Sequence, residues 1–248
     1  MKPEILIAAL LPLAALSACR SEESPAPSEI REAPAPSTPN LPGYTLVFLK
    51  TGPKSGQLSA EENAKAFEGH FANMARMANE GQLVVAGPFG EQRHDPALRG
   101  IFVLTSARRD EAKSWAESDP TTKAGVFVLE FHDLETDAPL AAALARDKAW
   151  RAEQEAAGKT PPPGEGARGY VLLTAEHGDL AERELAGLRS EEGGVFLLGR
   201  LDKTRGFALL DAQKLDEARE RFGPQLEPLG AHVLDEWFAS NELAHMVD

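Results

Sequence analysis

The sequence predicts an α+β protein made of two units, each ordered strand, helix, strand, strand, helix, strand. The antiparallel sheets of the two units are expected to pack against each other with the helices outside. Three observations carry this expectation. Glycines recur in order along two stretches: Gly81 to Gly87 aligns with Gly193 to Gly199 at an offset of 112, and Arg99 to Leu104 aligns with Arg205 to Leu210 at 106. An ordered series of this kind marks an internal repeat. Strands such as Tyr44–Lys50 are apolar on both faces, with Leu46 and Phe48 pointing one way and Val47 and Leu49 the other, and Val126-Phe127-Val128-Leu129 behaves alike. A strand of that kind belongs to a sheet buried on both sides. Finally, two helices cover only one face of a four-stranded sheet, so the other unit is the nearest cover for the second.

In the first unit the expected strands are Tyr44–Lys50, Leu83–Gly87, Gly100–Thr105 and Val126–Phe131. Ser59-Ala60-Glu61-Glu62 reads as a capping box that opens the first helix. Gly81 suits the left-handed conformation that ends it. Ser106 opens the second helix, which carries Ala112, Trp115 and Ala116. The second unit offers Tyr170–Ala175, a short helix from Asp179, Val195–Arg200, Gly206–Asp211, a helix over Leu215–Phe222, and His232–Trp237. The six-residue difference between the offsets is a longer loop, Phe89 to Leu98, in the first unit. Between the units, Asp137-Ala138-Pro139 is expected to start a helix that stops near Gly158. A stiff spacer from Lys159 to Gly164 follows it.

The N-terminus reads as an address. Ile5 to Ala18 is apolar behind Met1 and Lys2, too short for the ~20 residues of a membrane-crossing helix. It fits the apolar region of a secretory signal. It ends in Leu16-Ser17-Ala18-Cys19, which resembles the lipobox of bacterial lipoproteins. That resemblance implies cleavage before Cys19, the one cysteine of the chain, and its acylation by diacylglyceryl and palmitate groups. The competing reading is an ordinary signal peptide with a cysteine near its cleavage point. Arg20, in place of the aspartate that retains lipoproteins at the inner membrane, points to the outer membrane and a periplasm-facing protein. Residues 19–42 are rich in Pro, Ser, Ala and Glu and read as a disordered tether. The expected organisation is therefore signal 1–18, tether 19–42, first domain 43–135, linker 136–168 and second domain 169–248.

With 248 residues and a net charge of −13, the chain has no basic cluster and is a poor nucleic-acid binder. One cysteine excludes a disulfide framework. No glycine-rich phosphate loop, serine elbow or zinc signature is visible, so neither cofactor nor metal is expected. His94, beside Arg93 and Asp95, reads as exposed turn chemistry; His132, His177, His232 and His245 lack metal-ligand spacing. Trp115 and Trp237 read as core or interface aromatics. The remaining partners are a small-molecule ligand and a membrane reached through lipidated Cys19, for a chain expected to be a monomeric pseudodimer.

The segment His70 to Leu83, followed by Ala86-Gly87-Pro88-Phe89, Trp115 to Pro120 and Ala124 to Phe127, resembles the YCII-related (YciI-like) family of the dimeric α+β barrel superfamily. The likeness spans about Tyr44 to Phe131, with the second unit a diverged relative. It implies ferredoxin-like βαββαβ units that pair their sheets as a barrel, here within one chain. It also implies a histidine–aspartate pair in a cleft, at positions matched here by His70 and Asp119. On a helical wheel Phe67, Phe71, Met74 and Met77 form one stripe, and His70 falls within it. An imidazole so placed needs a polar partner, which a carboxylate supplies. The residues alone equally allow a satisfied core histidine and a simple N-cap at Asp119.

The chain departs from the family pattern at Phe67, where an arginine is frequent, and at Thr121, where an aromatic is. The second unit offers Glu182 opposite His70, Gln225 opposite Asp119 and Arg200 opposite Pro88. The resemblance points to an envelope enzyme with cofactor-free isomerase or lyase chemistry on a small cyclic substrate. The alternatives are a non-catalytic lipoprotein that binds a ligand or protein, and a purely structural role.

Overall fold

The computed structural model describes residues 43–160, 165–189 and 194–246. The expected signal 1–18, Cys19 with the rest of the tether to 42, and the spacer prolines at 161–163 lie outside the described residues.

Eight strands and six helices follow in the order β1 (Gly43–Thr51), α1 (Ala60–Asn79), β2 (Leu83–Pro88), β3 (Leu98–Leu104), α2 (Arg109–Ala116), α3 (Pro120–Lys123), β4 (Phe127–Thr136), α4 (Leu140–Ala156), β5 (Ala167–Ala175), α5 (Gly178–Leu185), β6 (Val195–Leu201), β7 (Arg205–Leu210), α6 (Leu215–Leu226) and β8 (His232–Ser240). The strands form one antiparallel sheet, ordered β2-β3-β1-β4-β6-β7-β5-β8. It rolls into a nearly closed barrel of two βαββ-like halves, the α+β architecture of a dimeric α+β barrel. The β2–β3 ladder pairs Leu83 with Leu104 and Gly87 with Ile101, and the β6–β7 ladder pairs Val195 with Leu210 and Gly199 with Phe207. Both shift register one step into the strand, between Leu83 and Val85 and between Val195 and Leu197.

Two-sided burial follows the predicted alternation. Leu46 and Phe48 join Leu134, Leu172, Phe207 and Trp237 in the barrel interior, where only about 20 Å³ stays free. Val47 and Leu49 point outward to Met77, Ala112 and Ala116 of α1 and α2. The second half repeats the plan, with Val171 and Leu173 beneath Ala181 of α5 and Phe222 of α6. The expected double burial fails at the start of β4. Val128 is 44% exposed beside exposed Glu130 at the start of the strand, whereas His132 and Leu134 further along the same face are buried.

Two seams join the halves. At one, β4 pairs with β6 from Leu134↔Leu201 to Thr136↔Gly199. At the other, Phe89 bridges Trp237, Gly90 N–H donates to Glu236 O at 2.7 Å, and Trp237 Nε1–H donates to Gly87 O at 3.0 Å. A glycine sits at each. A Cβ on Gly87 would lie 1.8 Å from Phe238 O, and one on Gly199 2.4 Å from Glu135 O. These glycines are two of those that mark the alignment of the halves, and the seams explain why they are needed.

The hairpin connections also reach across the seams. The β6–β7 turn has positive φ at both Asp202 and Lys203, the type I′ geometry that matches strand twist. Asp202 Oδ1 accepts from Asp133 N–H at 3.0 Å, and Oδ2 lies 2.7 Å from His132 Nδ1 on β4. On the opposite seam, His94 N–H donates to Asp235 Oδ1 at 2.6 Å, its ring Nδ1 lies 2.8 Å from Oδ2, and Asp95 pairs with Lys50 at 2.9 Å. The 89–98 loop is thus a clamp, whereas the sequence suggested only an exposed turn.

The capping box at Ser59 and Glu62 forms, and Gly81 adopts φ +73°. Two helix starts differ from expectation. The second helix begins at Arg109, because Ser106 Oγ accepts from Arg108 N–H and shapes the turn before it. The linker helix begins at Leu140 without a side-chain cap, as Asp137 instead pairs with Arg189 at 2.5 Å.

Two outcomes test this closure. Gly87→Ala and Gly199→Ala each lose about 2 kcal/mol in urea unfolding, because the added methyl must push seam strands apart. Burial pushes the Asp202 carboxyl up, but hydrogen bonds from His132, Asp133 N–H and Arg205 outweigh it and hold its pKa at about 2, below the ordinary 3.8. A depressed carboxyl contributes stability that is present above its unfolded pKa and is lost as pH falls through the folded one. With a third of the side chain in solvent, the contribution is about 1 kcal/mol after screening. Asp202→Asn therefore costs about that much at pH 7, and the gap to wild type closes between pH 4 and pH 2.

Candidate functional site

His70 projects from the middle of α1 toward the outer face of the sheet and is 7% exposed. Asp119 ends the turn after α2, caps α3 and is 1% exposed. The two meet, 49 positions apart in sequence, with His70 Nδ1 2.9 Å from Asp119 Oδ2. Both readings of Asp119 hold together. Oδ1 accepts from the Thr121 N–H at 3.0 Å as an N-cap does, and from the Thr121 hydroxyl. Oδ2 faces His70 and also accepts from Asn73 Nδ2 at 3.3 Å. All four lone-pair positions of the carboxylate are taken. Burial pushes its carboxyl up, but the hydrogen bonds from His70 and Thr121 outweigh that, and the group sits below the ordinary value. Asp119 is therefore ionised at neutral pH.

This arrangement fixes the histidine. An ionised carboxylate accepts a hydrogen bond from Nδ1–H, so the neutral ring carries its lone pair on Nε2. Nε2 has no hydrogen-bond partner among the described residues. Phe102 stacks on the ring with centroids 5.7 Å apart and planes 19° apart, while Phe67, Phe71 and Phe127 approach edge-on at 5.4 to 6.1 Å. Four aromatic rings thus hold one imidazole orientation.

The ring borders a cavity of about 810 Å³ between α1, the β1–α1 connection and the outer sheet face. Leu58, Phe67, Phe71, Met74 and Phe127 supply its apolar walls, and Asn63 and Arg99 add polar groups. Gly87 and Gly100 keep the floor low. Phe71, expected within the buried stripe, is 61% exposed and forms part of the rim.

In the sequence Phe67 stands out as a member of the α1 stripe and as a departure from the family pattern, and Thr121 as a departure alone. Here Phe67 packs edge-on to both His70 and Phe127, and Thr121 is fully buried against Asp119. Asn73 was not singled out. That residue lies one turn from His70 on α1, a spacing that could have signalled it.

The aligned positions of the second half hold a different chemistry. Arg200 forks onto Glu182, with Nε 2.8 Å and Nη2 2.5 Å from the two carboxylate oxygens, and reaches Asp179 at 2.7 Å. An ion pair thus stands where the first half has His70 and Pro88. Of the other histidines, His132 lies at a seam between Glu130 at 2.9 Å and Asp202, and His232 Nδ1 donates to Gly230 O at 2.8 Å. Among the described residues, no group of three or more His, Cys, Asp and Glu side chains is placed to hold a metal ion, and no helix is long and apolar enough to cross a membrane.

Comparison with curated proteins finds no match, and neither does comparison with solved structures. Residues 45–133, the segment that holds β1 through most of β4 with both His70 and Asp119, match the family model of the YCII-related domain.

Proposed function

We propose that the protein is a bacterial envelope lipoprotein whose first half performs cofactor-independent acid/base chemistry, of the isomerase or lyase type, on a small cyclic substrate. The observation that carries this reading is the 2.9 Å contact of His70 Nδ1 with a buried, ionised Asp119, beside a cavity large enough for such a molecule. His70 Nε2 takes a proton from an acidic position of the substrate, and Asp119 stabilises the imidazolium that forms. In an isomerisation the proton returns to a second position of the same ring. In an elimination the C–H electron pair becomes the new double bond, the departing group leaves with the electron pair of its broken bond to carbon, and it takes up the proton from Nε2, which restores the neutral imidazole. The small cyclic substrate class follows from the family likeness.

Several parts of the reading rest on the sequence. Signal 1–18 is cleaved, Cys19 is lipidated, and tether 19–42 holds the barrel off the outer membrane on its periplasmic side. The barrel is a duplicated YCII-like pair, 43–135 and 169–248, joined by linker 136–168 and complete as a monomer. The matched ladder irregularities of the two halves support that duplication. Only the first half carries the reactive pair.

Turnover of a panel of lactones, chlorinated quinols and small cyclic acids tests the chemistry. His70→Gln lowers kcat at least about 100-fold, and Asp119→Asn lowers it by a similar order, with the fold checked by circular dichroism. Compounds that bind wild type and the His70 variant equally, with no turnover by either, would establish the non-catalytic receptor instead. For the anchor, Cys19→Ser moves the protein from the membrane pellet to the soluble fraction and abolishes palmitate labelling; an unchanged distribution refutes lipidation.

A further inference from the structure

We infer that the cavity beside His70 takes an apolar ring bearing a carboxylate, and that Arg99 is the residue that binds the anionic end. This rests on the reading of that cavity as the substrate site and adds to it a charge and an anchor.

In a chain of net charge −13, an arginine without a carboxylate is the exception. Every described arginine of the second half, from Arg168 to Arg221, pairs with an Asp or Glu. Arg99 pairs with none among the described residues, although it lines the cavity that holds His70. Its aligned position in the second half is Arg205, which is neutralised by Asp202 at 3.0 Å. The counterpart of Pro88 is Arg200, which is neutralised by Glu182. The second half therefore satisfies its own cations at these positions. Of the first-half arginines without a carboxylate partner among the described residues, Arg93, Arg99 and Arg108, it is Arg99 that lines the largely apolar cavity beside His70.

The surroundings suit a ring with an acid at one end. Leu58, Phe67, Phe71 and Phe127 provide faces on which a planar apolar body packs. A guanidinium presents a fork of N–H groups that matches the two oxygens of a carboxylate. Arg99 is exposed at the cavity edge, but its main chain is fixed, because Arg99 O accepts from Phe89 N–H at 3.0 Å within the sheet. The strongly acidic exterior repels free anions, so a local positive charge at the mouth is what would admit one. With the acid held there, the ring extends along the aromatic wall toward His70 Nε2.

A matched pair of probes tests this: naphthalene-2-carboxylate and naphthalene-2-carboxamide, which share a ring and differ in charge. Titration calorimetry on the folded barrel should show the carboxylate bound about tenfold more tightly than the amide. Arg99→Gln should remove that preference while leaving amide binding unchanged, and Arg99→Lys should restore part of it. Equal affinity of the two probes for wild type overturns the inference. So does a preference that survives Arg99→Gln, or an absence of binding by both. None of these outcomes touches the turnover loss expected of His70→Gln, so the anchor can fail while the acid/base reading stands. Conversely, a charge preference abolished by Arg99→Gln in a protein without turnover keeps the anchor and discards the chemistry.

Discussion

Each half of this chain carries a four-stranded sheet that is apolar on both faces, and the rest of the architecture answers to that constraint. Helices cover the outer face of each sheet, with Met77, Ala112 and Ala116 over the first and Ala181 and Phe222 over the second. The inner faces cover each other, and Leu140 and Ala143 of α4 join the core between them. At about 25 cal/mol per Å² of apolar surface removed from water, an open sheet would be heavily penalised. Rolling the two sheets together hides both faces at once. The cost falls on the seams, where strands of different halves must come within hydrogen-bonding distance of each other. Gly87 and Gly199 permit that approach, and Asp202 and Asp235 tie the neighbouring connections across it.

The same frame supports two different outcomes on its outer face. In the first half α1 runs for 20 residues and is preceded by a connection of eight, 52–59, that overhangs the sheet. In the second, α5 runs for only eight residues after a two-residue connection. The longer roof encloses a cavity in the first half, and the aromatic residues of α1 and β4 line it. In the second, the Arg200–Glu182 pair occupies the equivalent strip between helix and sheet. With its charges satisfied internally, that half acts as the wall against which the first half closes.

Much of this was legible in the residues. The alternation of Leu46, Val47, Phe48 and Leu49 stated the two-sided burial, and the glycine series stated the two halves. What could not be read were contacts between positions far apart. The His94–Asp235 clamp joins residues 141 positions apart, and no local signal in the 89–98 loop distinguishes it from a solvated turn. Val128 misled because alternation says which face a side chain takes, not where the barrel ends. Phe71 misled for a related reason: the apolar stripe of α1 continues past the sheet it packs on, so its outer members line a cavity instead of a core.

Asp119 shows how closely fold and chemistry are bound together in the first half. Its two oxygens serve two masters: one caps the short helix α3 through Thr121, the other holds His70 and Asn73. A carboxylate is the one group that can do both in the required sense, since it accepts on all sides and donates on none. An amide in its place could still cap with its oxygen, but its nitrogen would donate toward Nδ1. The imidazole would then carry its proton on Nε2 and present a donor to the cavity where it had presented a base. An amide nitrogen there would also face the Asn73 Nδ2 donor, so the exchange would disturb the buried cluster as well as the tautomer. The carboxylate at this buried helix start thus sets the histidine tautomer as well as the start of the helix.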